Sequence, residues 1–283
     1  MSSARGAAGA GPLVRVEGLE FVYPPPRQIR ALDGVSLAIA AGEVVALVGQ
    51  NGSGKTSLAR CLSGYLRPTR GRVLVAGEEI GRLPPPRRAR VVGYVFQNPD
   101  HQLFRESVWD EVAFGLRNLR RPWEEIEQEV EAALRRLELW DKRDLHPFQL
   151  SKGDRQRLAI AAILVLAPEV LIVDEPTTGQ DPRKAREIMD LLAALRRDRG
   201  TTIVAITHVM ELVAEYCARM IVLHQGHVLA DGAPRAVFRE AELLATSAIS
   251  PPPVCRLALR LGLEPLPITV PEACDALLAR LAR

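Results

Sequence analysis

Short apolar segments bounded by glycine or proline recur through the first hundred residues. PLVRVEGLEFVY and GVSLAIAAGEVVALVG alternate or run apolar over strand length, and GRVLVAGEEI and RVVGYVFQ continue the pattern. The segment LPPPRR predicts a proline-rich surface loop, whose arginines form a solvated turn rather than a nucleic-acid patch: Arg87, Arg88 and Arg90. We therefore expect the first part of the chain to be rich in strands.

The hydrophobic pattern becomes helical between Ser107 and Ala167. In RPWEEIEQEVEAALRRLELW, Pro122 fits the first helical turn, and Glu131 and Arg135 form an i,i+4 pair. One apolar face runs along this segment: Ile126, Val130, Ala133, Leu134 and Leu137. The block predicts an inserted helical subdomain at about residues 98–165.

Strands alternate with helices after this block. VLIVD, TTIVAIT and ARMIVLH read as strands, and helices are predicted over Pro182–Arg199 and from Val209. This alternation is typical of a mostly parallel sheet covered by helices. After about Glu240 the pattern breaks, and Pro251–Pro253 predicts a linker into a small C-terminal piece.

Amino-acid composition and charge exclude few classes of protein. With 283 residues, 47% hydrophobic and 25% charged, the chain can bury a sizeable core, and its net charge of +3 permits a polyanionic ligand without requiring one. The start, residues 1–12, lacks the apolar segment of a signal peptide and is expected to be a flexible tail. The cysteines form no CxxC pair, which favours reduced thiols in a cytosolic protein: Cys61, Cys217, Cys255 and Cys274.

The longest apolar run is Leu158–Ala167, which stops at Pro168. A membrane-spanning helix needs about 20 apolar residues. Any role at a membrane is therefore expected to depend on a partner.

The segment VALVGQNGSGKTSLARCLSG reads as strand, glycine loop and helix. Its loop, Gly49–Thr56, has the form G-x-x-x-x-G-K-T, and we call it the P-loop. Glycines let backbone N–H groups curl around phosphate, so Lys55 is expected at the β- and γ-phosphates and Thr56 at Mg²⁺. A chance glycine loop is disfavoured because the strand and the helix are both present. The predicted nucleotide-binding residues here are Gly49, Gln50, Asn51, Gly52, Ser53, Gly54, Lys55, Thr56 and Ser57.

A second chemical signal is EVLIVDEP. Four apolar residues carry Asp174 and Glu175 to the end of a buried strand, where ligands bind in open α/β sheets. Asp174 is predicted to hold the magnesium shell, and Glu175 to polarise the attacking water. An acidic turn before Pro176 is the alternative, and the P-loop argues against it.

Two further polar residues end predicted strands. His208 follows TTIVAIT on the same rim as Asp174, which predicts a γ-phosphate contact; a polar cap, or helix capping by Thr207, is the alternative. Gln97 ends VVGYVFQ, and its neutral side chain is a candidate to orient water or to ligate a metal.

The polar stretch QLSKGDRQR runs directly into LAIAAILVLA. Ser151 and Asp154 have the spacing of a capping box, which leaves Gly153 unexplained. A helix N-terminus also binds anions. Both interpretations therefore stand together.

These motifs, in this order, resemble the ATP-binding cassette (ABC) ATPase family over about Leu13–Glu240. GQNGSGKT matches the Walker A motif, and LIVDE matches Walker B. Gln97 corresponds to the Q-loop, TTGQD to the D-loop and His208 to the switch histidine. LSKGD stands where the family usually shows the signature LSGGQ. The resemblance implies an α/β P-loop NTPase core of RecA type with a mostly parallel sheet, an antiparallel β subdomain, an inserted helical subdomain and a small C-terminal extension.

The resemblance also implies that two cassettes pair head to tail around ATP and Mg²⁺. Tyr23 would then stack on adenine, while Ser151 and Gly153 would touch the γ-phosphate bound to the partner. Asp181 would couple the two sites, although a helix cap before Pro182 explains it equally well.

The signature departs from the family at two positions. Lys152 replaces a glycine, and Asp154 replaces a glutamine. We expect these two charges to compensate each other and leave the local field near neutral.

A finer resemblance links the chain to the ATPase subunits of energy-coupling factor (ECF) importers of vitamins or metal ions. It rests on VFQNPDHQLFRESVWDEVAFGLRNL and PPPVCRLALRLGLEPLPITVPEAC. It implies a membrane scaffold subunit docking near Asp100–Phe104, a separate substrate-binding membrane subunit, and dimerisation through residues 241–283. Asp100 would meet a scaffold arginine or remain an exposed loop acid. The chain would then act at the cytoplasmic face of the cell membrane.

The alternative is a soluble ABC ATPase acting on nucleic acid or ribosomes. The compact block between Lys55 and Asp174 lacks sustained heptads, and the chain carries one cassette, so we expect no nucleic-acid partner. A non-hydrolysing regulator is disfavoured because Lys55, Asp174, Glu175 and His208 are all present.

Overall fold

The structure is a computed structural model that describes residues 11–26 and 28–281. Most of the predicted tail at residues 1–12 therefore lies outside the described residues. The strands within them are β1 (Val14–Val22), β2 (Arg30–Ile39), β3 (Val44–Val48), β4 (Arg70–Val75), β5 (Glu78–Glu79), β6 (Val92–Val95), β7 (Val170–Asp174), β8 (Thr202–Ile206), β9 (Arg219–His224) and β10 (His227–Gly232).

Helices occupy the intervening and C-terminal segments. They are α1 (Lys55–Leu62), α2 (Pro85–Val91), α3 (Val108–Asn118), α4 (Trp123–Arg136), α5 (Lys152–Leu164), α6 (Pro182–Arg199), α7 (Met210–Tyr216), α8 (Pro234–Arg239), α9 (Ala241–Thr246), α10 (Pro253–Leu261) and α11 (Val270–Leu281). Short 3₁₀ turns at Pro99–His101 and Trp140–Lys142 bear on the site described below.

The main sheet has six strands in the order β10-β9-β3-β8-β7-β6. The run from β9 to β6 is parallel, and β10 joins β9 antiparallel. Strands β3, β7 and β8 are buried along their whole length, as expected for a sheet covered on both faces. The predicted mostly parallel α/β core is confirmed.

A second sheet, in the order β2-β1-β4-β5, is antiparallel throughout. Its apolar face, which includes Val16, Leu19 and Leu37, shares one buried cluster with Leu58 of α1 and Leu47 of β3. The antiparallel subdomain implied by the resemblance is therefore present, and it packs over the helix that follows the P-loop.

The helical block between β6 and β7 consists of α3, α4 and α5. Ile126, Val130 and Leu134 are buried, and Glu131 pairs with Arg135 at 2.7 Å, as predicted. Pro122 lies immediately before α4 rather than within its first turn.

The predicted surface position of LPPPRR is confirmed, but the predicted loop is wrong, because a helix, α2, begins inside this segment. Pro84 precedes the helix and Pro85 occupies its first turn, where a missing N–H costs no intrahelical hydrogen bond. Arg87 pairs with Glu78 at 2.6 Å, and Arg88 donates to the Gly64 carbonyl at 2.9 Å. Arg87 and Arg88 therefore connect the helix to its neighbours, while Arg90 is exposed.

The C-terminal segment forms the helices α10 and α11. Cys255, Leu263 and Leu266 are buried in the same cluster as the helix-covered face of the main sheet. Pro251 and Pro252 are also buried, so the predicted linker lies packed against the rest of the chain. In the parts of the chain that the structure describes, no helix is both long and apolar enough to cross a membrane.

Candidate active site

Parallel strands bring the predicted site residues to one edge of the main sheet. The P-loop follows β3, and Asp174 and Glu175 lie at the end of β7. Gln97 and His208 come shortly after β6 and β8. Because these strands run in the same direction, their carboxyl ends share one rim.

The P-loop leaves no room for side chains at two of its glycines. A Cβ on Gly49 would lie 2.3 Å from the Leu223 carbonyl oxygen, and one on Gly54 would lie 2.5 Å from the Ala31 carbonyl oxygen. Gly54 also has a φ of 106°, in the left-handed region. The loop therefore requires glycine where it turns into α1.

Two polar side chains of the P-loop point inward. Lys55 is buried, and its Nζ donates to the carbonyl oxygens of Gly49 at 2.8 Å and Gln50 at 2.9 Å. Burial lowers the pKa of Lys55, while Glu175 and Asp174 oppose that shift. The Ser53 Oγ is also buried, and it has no hydrogen-bond partner within the described residues. An enclosed hydroxyl and a lysine within a glycine cradle fit a phosphate ligand.

Asp174 is buried and anchored by a residue that the sequence analysis missed. Tyr94 donates from its hydroxyl to Asp174 Oδ2 at 2.6 Å. Burial raises the pKa of Asp174, and the hydrogen bonds from Tyr94 and Thr56 act against this. The only indication in the sequence was that Tyr94 lies within the predicted strand VVGYVFQ, from which its hydroxyl can reach a neighbouring strand.

Glu175 is the centre of a polar cluster. Its Oε2 accepts from Gln97 Nε2 at 2.8 Å and from the Thr178 hydroxyl at 2.9 Å, and lies 3.8 Å from His208 Nδ1. The backbone of Glu175 is left-handed, with φ at 45°. The structure thus brings together the predicted residues Glu175, Gln97 and His208. It adds Thr178, for which the only indication in the sequence was a hydroxyl three residues after Glu175.

Tyr23 lies beside the P-loop helix. Its hydroxyl is 3.1 Å from Ser57 Oγ, and its ring packs edge-on against Phe21, with centroids 4.9 Å apart. This contact places the predicted adenine-stacking residue next to a predicted nucleotide-binding serine. Its role toward adenine stays a prediction.

We call Leu150–Asp154 the signature segment. Ser151 is the N-cap of α5, and its hydroxyl accepts the Asp154 N–H at 3.2 Å, which is one half of the predicted capping box. The Asp154 carboxylate accepts from the Ser151 hydroxyl rather than from the Ser151 N–H. A Cβ at Gly153 would lie 3.4 Å from the Gln180 amide oxygen, so the signature segment adjoins the D-loop of its own chain. The contacts of Ser151 and Gly153 with a nucleotide stay predictions.

The expected compensation between the charges of Lys152 and Asp154 stays a prediction, but the direct contact of Asp154 is with a different lysine. Asp154 Oδ2 is paired with Lys142 Nζ at 2.7 Å instead. Lys152 reaches the D-loop, where a Cβ on Gly179 would lie 2.9 Å from its Nζ. A lysine twelve residues upstream therefore neutralises the carboxylate, because the fold of the helical block brings it back.

Asp181 is the N-cap of α6. Its Oδ1 accepts the N–H groups of Arg183 at 3.1 Å and Lys184 at 3.0 Å. The hydrogen bond from Lys184 is the main reason that its pKa is lowered. The capping interpretation is confirmed, and coupling between two sites stays a prediction.

The predicted docking segment, Asp100–Phe104, is tied to the signature helix. Asp100 Oδ1 lies 2.8 Å from Arg155 Nε, although the N–H does not point along the contact. Gln102 Nε2 donates to the Ala159 carbonyl at 2.8 Å. Asp100 is thus already paired within the chain, while Phe104 is 60% exposed.

The predicted magnesium ligands fit the chemistry of that ion. Asp174 and Thr56 supply a carboxylate and a hydroxyl, and Gln97 supplies an amide oxygen. Mg²⁺ keeps several waters and binds through one or two carboxylates plus phosphate oxygens. The described residues contain no cluster of three or more His, Cys, Asp or Glu side chains able to hold a metal alone. The role of Thr56, Gln97 and Asp174 as magnesium ligands stays a prediction.

Comparison with known proteins agrees with this geometry. A family model described as ABC transporter matches residues 32–178. The chain belongs to the ABC transporter family. It is 41% identical to the energy-coupling factor transporter ATP-binding protein EcfA2 of Symbiobacterium thermophilum. The alignment covers 94% of this chain and 96% of that protein.

Solved structures show the same fold. The CbiO1 protein of Clostridium perfringens, part of the ABC transporter complex CbiONQ, aligns with a TM-score of 0.74 and 36% identity over 89% of this chain and 97% of that one. A dimeric ATP-binding cassette bound to ADP and Pi aligns with a TM-score of 0.72 and 28% identity over 78% of this chain and 98% of that one. The P-loop NTPase fold of an ABC cassette is therefore confirmed.

Other relatives are longer than this chain. An ABC transporter ATP-binding protein of Methanosarcina acetivorans is 45% identical over 88% of this chain, which spans 41% of that protein. The corresponding Methanosarcina mazei protein is 47% identical, and the chain spans 39% of it. The chain thus covers about two fifths of these relatives.

Proposed function

We propose that this chain binds MgATP at the P-loop and hydrolyses it as the ATPase subunit of an ECF-type importer. The observation that carries the hydrolytic part is the cluster around Glu175. Its carboxylate is held by Gln97 and Thr178, beside His208 and on the rim that bears the P-loop. That arrangement suits a general base facing a γ-phosphate.

Each residue of the site has a distinct task in this proposal. On nucleotide binding, the Lys55 ammonium exchanges its loop carbonyls for β- and γ-phosphate oxygens. Glu175 takes a proton from the attacking water, oriented by Gln97, while His208 contacts the γ-phosphate. Thr56, Asp174 and Gln97 would hold Mg²⁺, whose charge would neutralise phosphate oxygens.

The second half of the site is proposed to come from another cassette. Ser151 and Gly153 begin α5, where free N–H groups and the helix dipole favour an anion. One of the solved relatives is a dimer with ADP and Pi, which supports a paired arrangement. Tyr23 would bind adenine, and Asp181 would connect the paired sites. Residues 241–283 are proposed to assist dimerisation.

Transport is proposed to depend on membrane partners. Relatives carry energy-coupling factor names, and the CbiO1 relative belongs to a transporter complex. Asp100–Phe104, with its exposed phenylalanine, is the proposed scaffold-docking segment, and a separate membrane subunit would select a vitamin or metal ion. The chain would then sit peripherally on the cytoplasmic face of the membrane.

Copurification from the native membrane tests the transport role. We expect the tagged chain, solubilised with mild detergent, to retain a second cassette and two hydrophobic membrane proteins identifiable by mass spectrometry. The Phe104→Asp variant should lose the membrane proteins and keep the cassette. Recovery with ribosomes and without membrane proteins would overturn the proposal.

A further inference from the structure

The first turn of α5 carries a carboxylate where the proposed phosphate contact lies. Asp154 is the third residue of that helix. Ser151 donates its hydroxyl proton to Asp154 Oδ2 at 2.9 Å and accepts the Asp154 N–H at 3.2 Å. The single hydroxyl proton of Ser151 is therefore committed to an anionic acceptor in its own chain.

Lys142 shares that acceptor. It lies at the end of the 3₁₀ turn Trp140–Lys142, and its Nζ is 2.7 Å from the same Asp154 Oδ2. The Asp154 side chain is 15% exposed and that of Lys142 is 40% exposed, so the contact is partly shielded from water. Charge pairs in such surroundings interact more strongly than fully exposed ones.

No other cation contacts the Asp154 carboxylate directly in the described residues. Lys152 extends toward Gly179 of the D-loop, and Arg157 donates to Glu138 at 2.8 Å. Burial opposes ionisation of Asp154, but the hydrogen bonds from Lys142 and Ser151, with the charges of Lys142 and Arg157, lower its pKa overall. The carboxylate is thus charged at neutral pH, and Lys142 supplies its direct neutralising contact.

Removal of Lys142 would have two consequences. An uncompensated negative charge would face the triphosphate at the start of α5. Ser151 would also become the only side chain donating to Asp154 Oδ2, so its proton would be held more firmly. Both effects oppose phosphate binding by the signature segment.

We propose that Lys142 is a positioning residue for phosphate recognition: it neutralises and pins Asp154, so that Ser151 and the α5 N-terminus can engage the nucleotide. The proposal rests on the proposed function, because it requires the signature segment to meet a bound triphosphate. It assigns to a lysine outside the signature the role first expected of Lys152.

A second-site rescue experiment tests the proposal in the full chain. Steady-state ATP hydrolysis is measured against MgATP concentration for Lys142→Met, Lys142→Arg, Asp154→Gln and the Lys142→Met/Asp154→Gln double variant. Lys142→Met should raise KM about tenfold at low salt, with a smaller change in kcat, as expected for one uncompensated charge near a polyanion. Lys142→Arg should stay near wild type, because it keeps the charge.

The double variant decides between positioning and mere structural support. Because Asp154→Gln removes the charge that Lys142 neutralises, the double variant should return to within about twofold of Asp154→Gln alone, a clear interaction term. The matched control is Arg72→Met, which breaks an ion pair of the same 2.7 Å length to Glu17 in the antiparallel sheet and should leave KM unchanged.

The outcomes separate this inference from the proposed function. An unchanged KM in Lys142→Met, or additive effects in the double variant, would overturn the role of Lys142 while leaving the hydrolysis proposal intact. Full activity in Ser151→Arg would instead remove the signature segment from the site and overturn the trans contact itself.

Discussion

At the residue scale, the site depends on polar side chains that fix the two acidic residues after β7. Tyr94 holds Asp174 at 2.6 Å, and Gln97 and Thr178 hold Glu175. Gln97 was predicted because it ends an apolar strand. Tyr94 was not predicted, because Asp174 lies on a different strand and no local pattern marks such a long-range hydrogen bond. Thr178 was missed although it lies only three residues after Glu175.

Replacing Tyr94 with phenylalanine should destabilise the protein at neutral pH. Asp174 would lose a donor inside a buried site, which costs about 1–3 kcal/mol of unfolding free energy. Because burial already raises the pKa of Asp174, its ionised form destabilises the fold, and stability is lost as pH rises through that pKa. The difference from wild type should therefore shrink in acid.

Chemical denaturation at neutral and acid pH measures this effect. Tyr65→Phe is the matched control, since Tyr65 is 62% exposed and should change stability by less than about 0.5 kcal/mol. Equal losses in both variants, or a loss independent of pH, would contradict the role assigned to Tyr94.

At the element scale, the sequence predicted those segments best that carry strong local signals. VLIVD matches β7 and the helix at Pro182–Arg199 matches α6 residue for residue, because an unbroken apolar run and an Asp-Pro cap are strong local signals. LPPPRR misled because proline favours both loops and first helical turns. The pairing of Lys142 with Asp154 required the tertiary fold, which brings two turns of the helical block together.

The tie between the docking segment and α5 predicts correlated local stability. Arg155 contacts Asp100 at 2.8 Å and donates to the Leu150 carbonyl at 3.0 Å. Arg155→Met should make the amides of residues 98–105 exchange about two- to fivefold faster, since a partly exposed ion pair contributes about 0.2–1 kcal/mol.

Hydrogen exchange followed by mass spectrometry reports this change segment by segment. The control Arg121→Met removes an exposed i,i+4 pair with Glu125 and should leave the docking segment unaffected. Protection unchanged in Arg155→Met would show that the docking segment is held by other contacts.

At the scale of the whole molecule, the C-terminal extension is part of the same core. Leu266 is fully buried, and Arg235 pairs with Glu272 at 2.9 Å. The prolines led to the prediction of a separate C-terminal piece. Nothing in the local sequence indicates that a proline-rich segment is buried. The hydrophobic pattern of the sequence therefore changes at about residue 241, but the buried core continues into the extension.

Leu266→Ala should lower the unfolding free energy of the entire chain by about 2–5 kcal/mol, the usual cost of a cavity at a buried leucine. Leu278→Ala in the same extension is the control, because Leu278 is 65% exposed and should cost less than about 0.5 kcal/mol. Thermal unfolding measures both. A separate low-temperature transition in Leu266→Ala, with the main one unmoved, would indicate an independent extension.

Glu175 is proposed to act as the general base for ATP hydrolysis at the P-loop. The most direct measurement is ATP turnover by Glu175→Gln, with ATP binding followed in parallel and the exposed-acid variant Glu131→Gln as control. We predict that Glu175→Gln keeps ATP binding and loses about 10²–10⁴-fold in kcat, while Glu131→Gln matches wild type. An undiminished kcat in Glu175→Gln would show that Glu175 is not the general base.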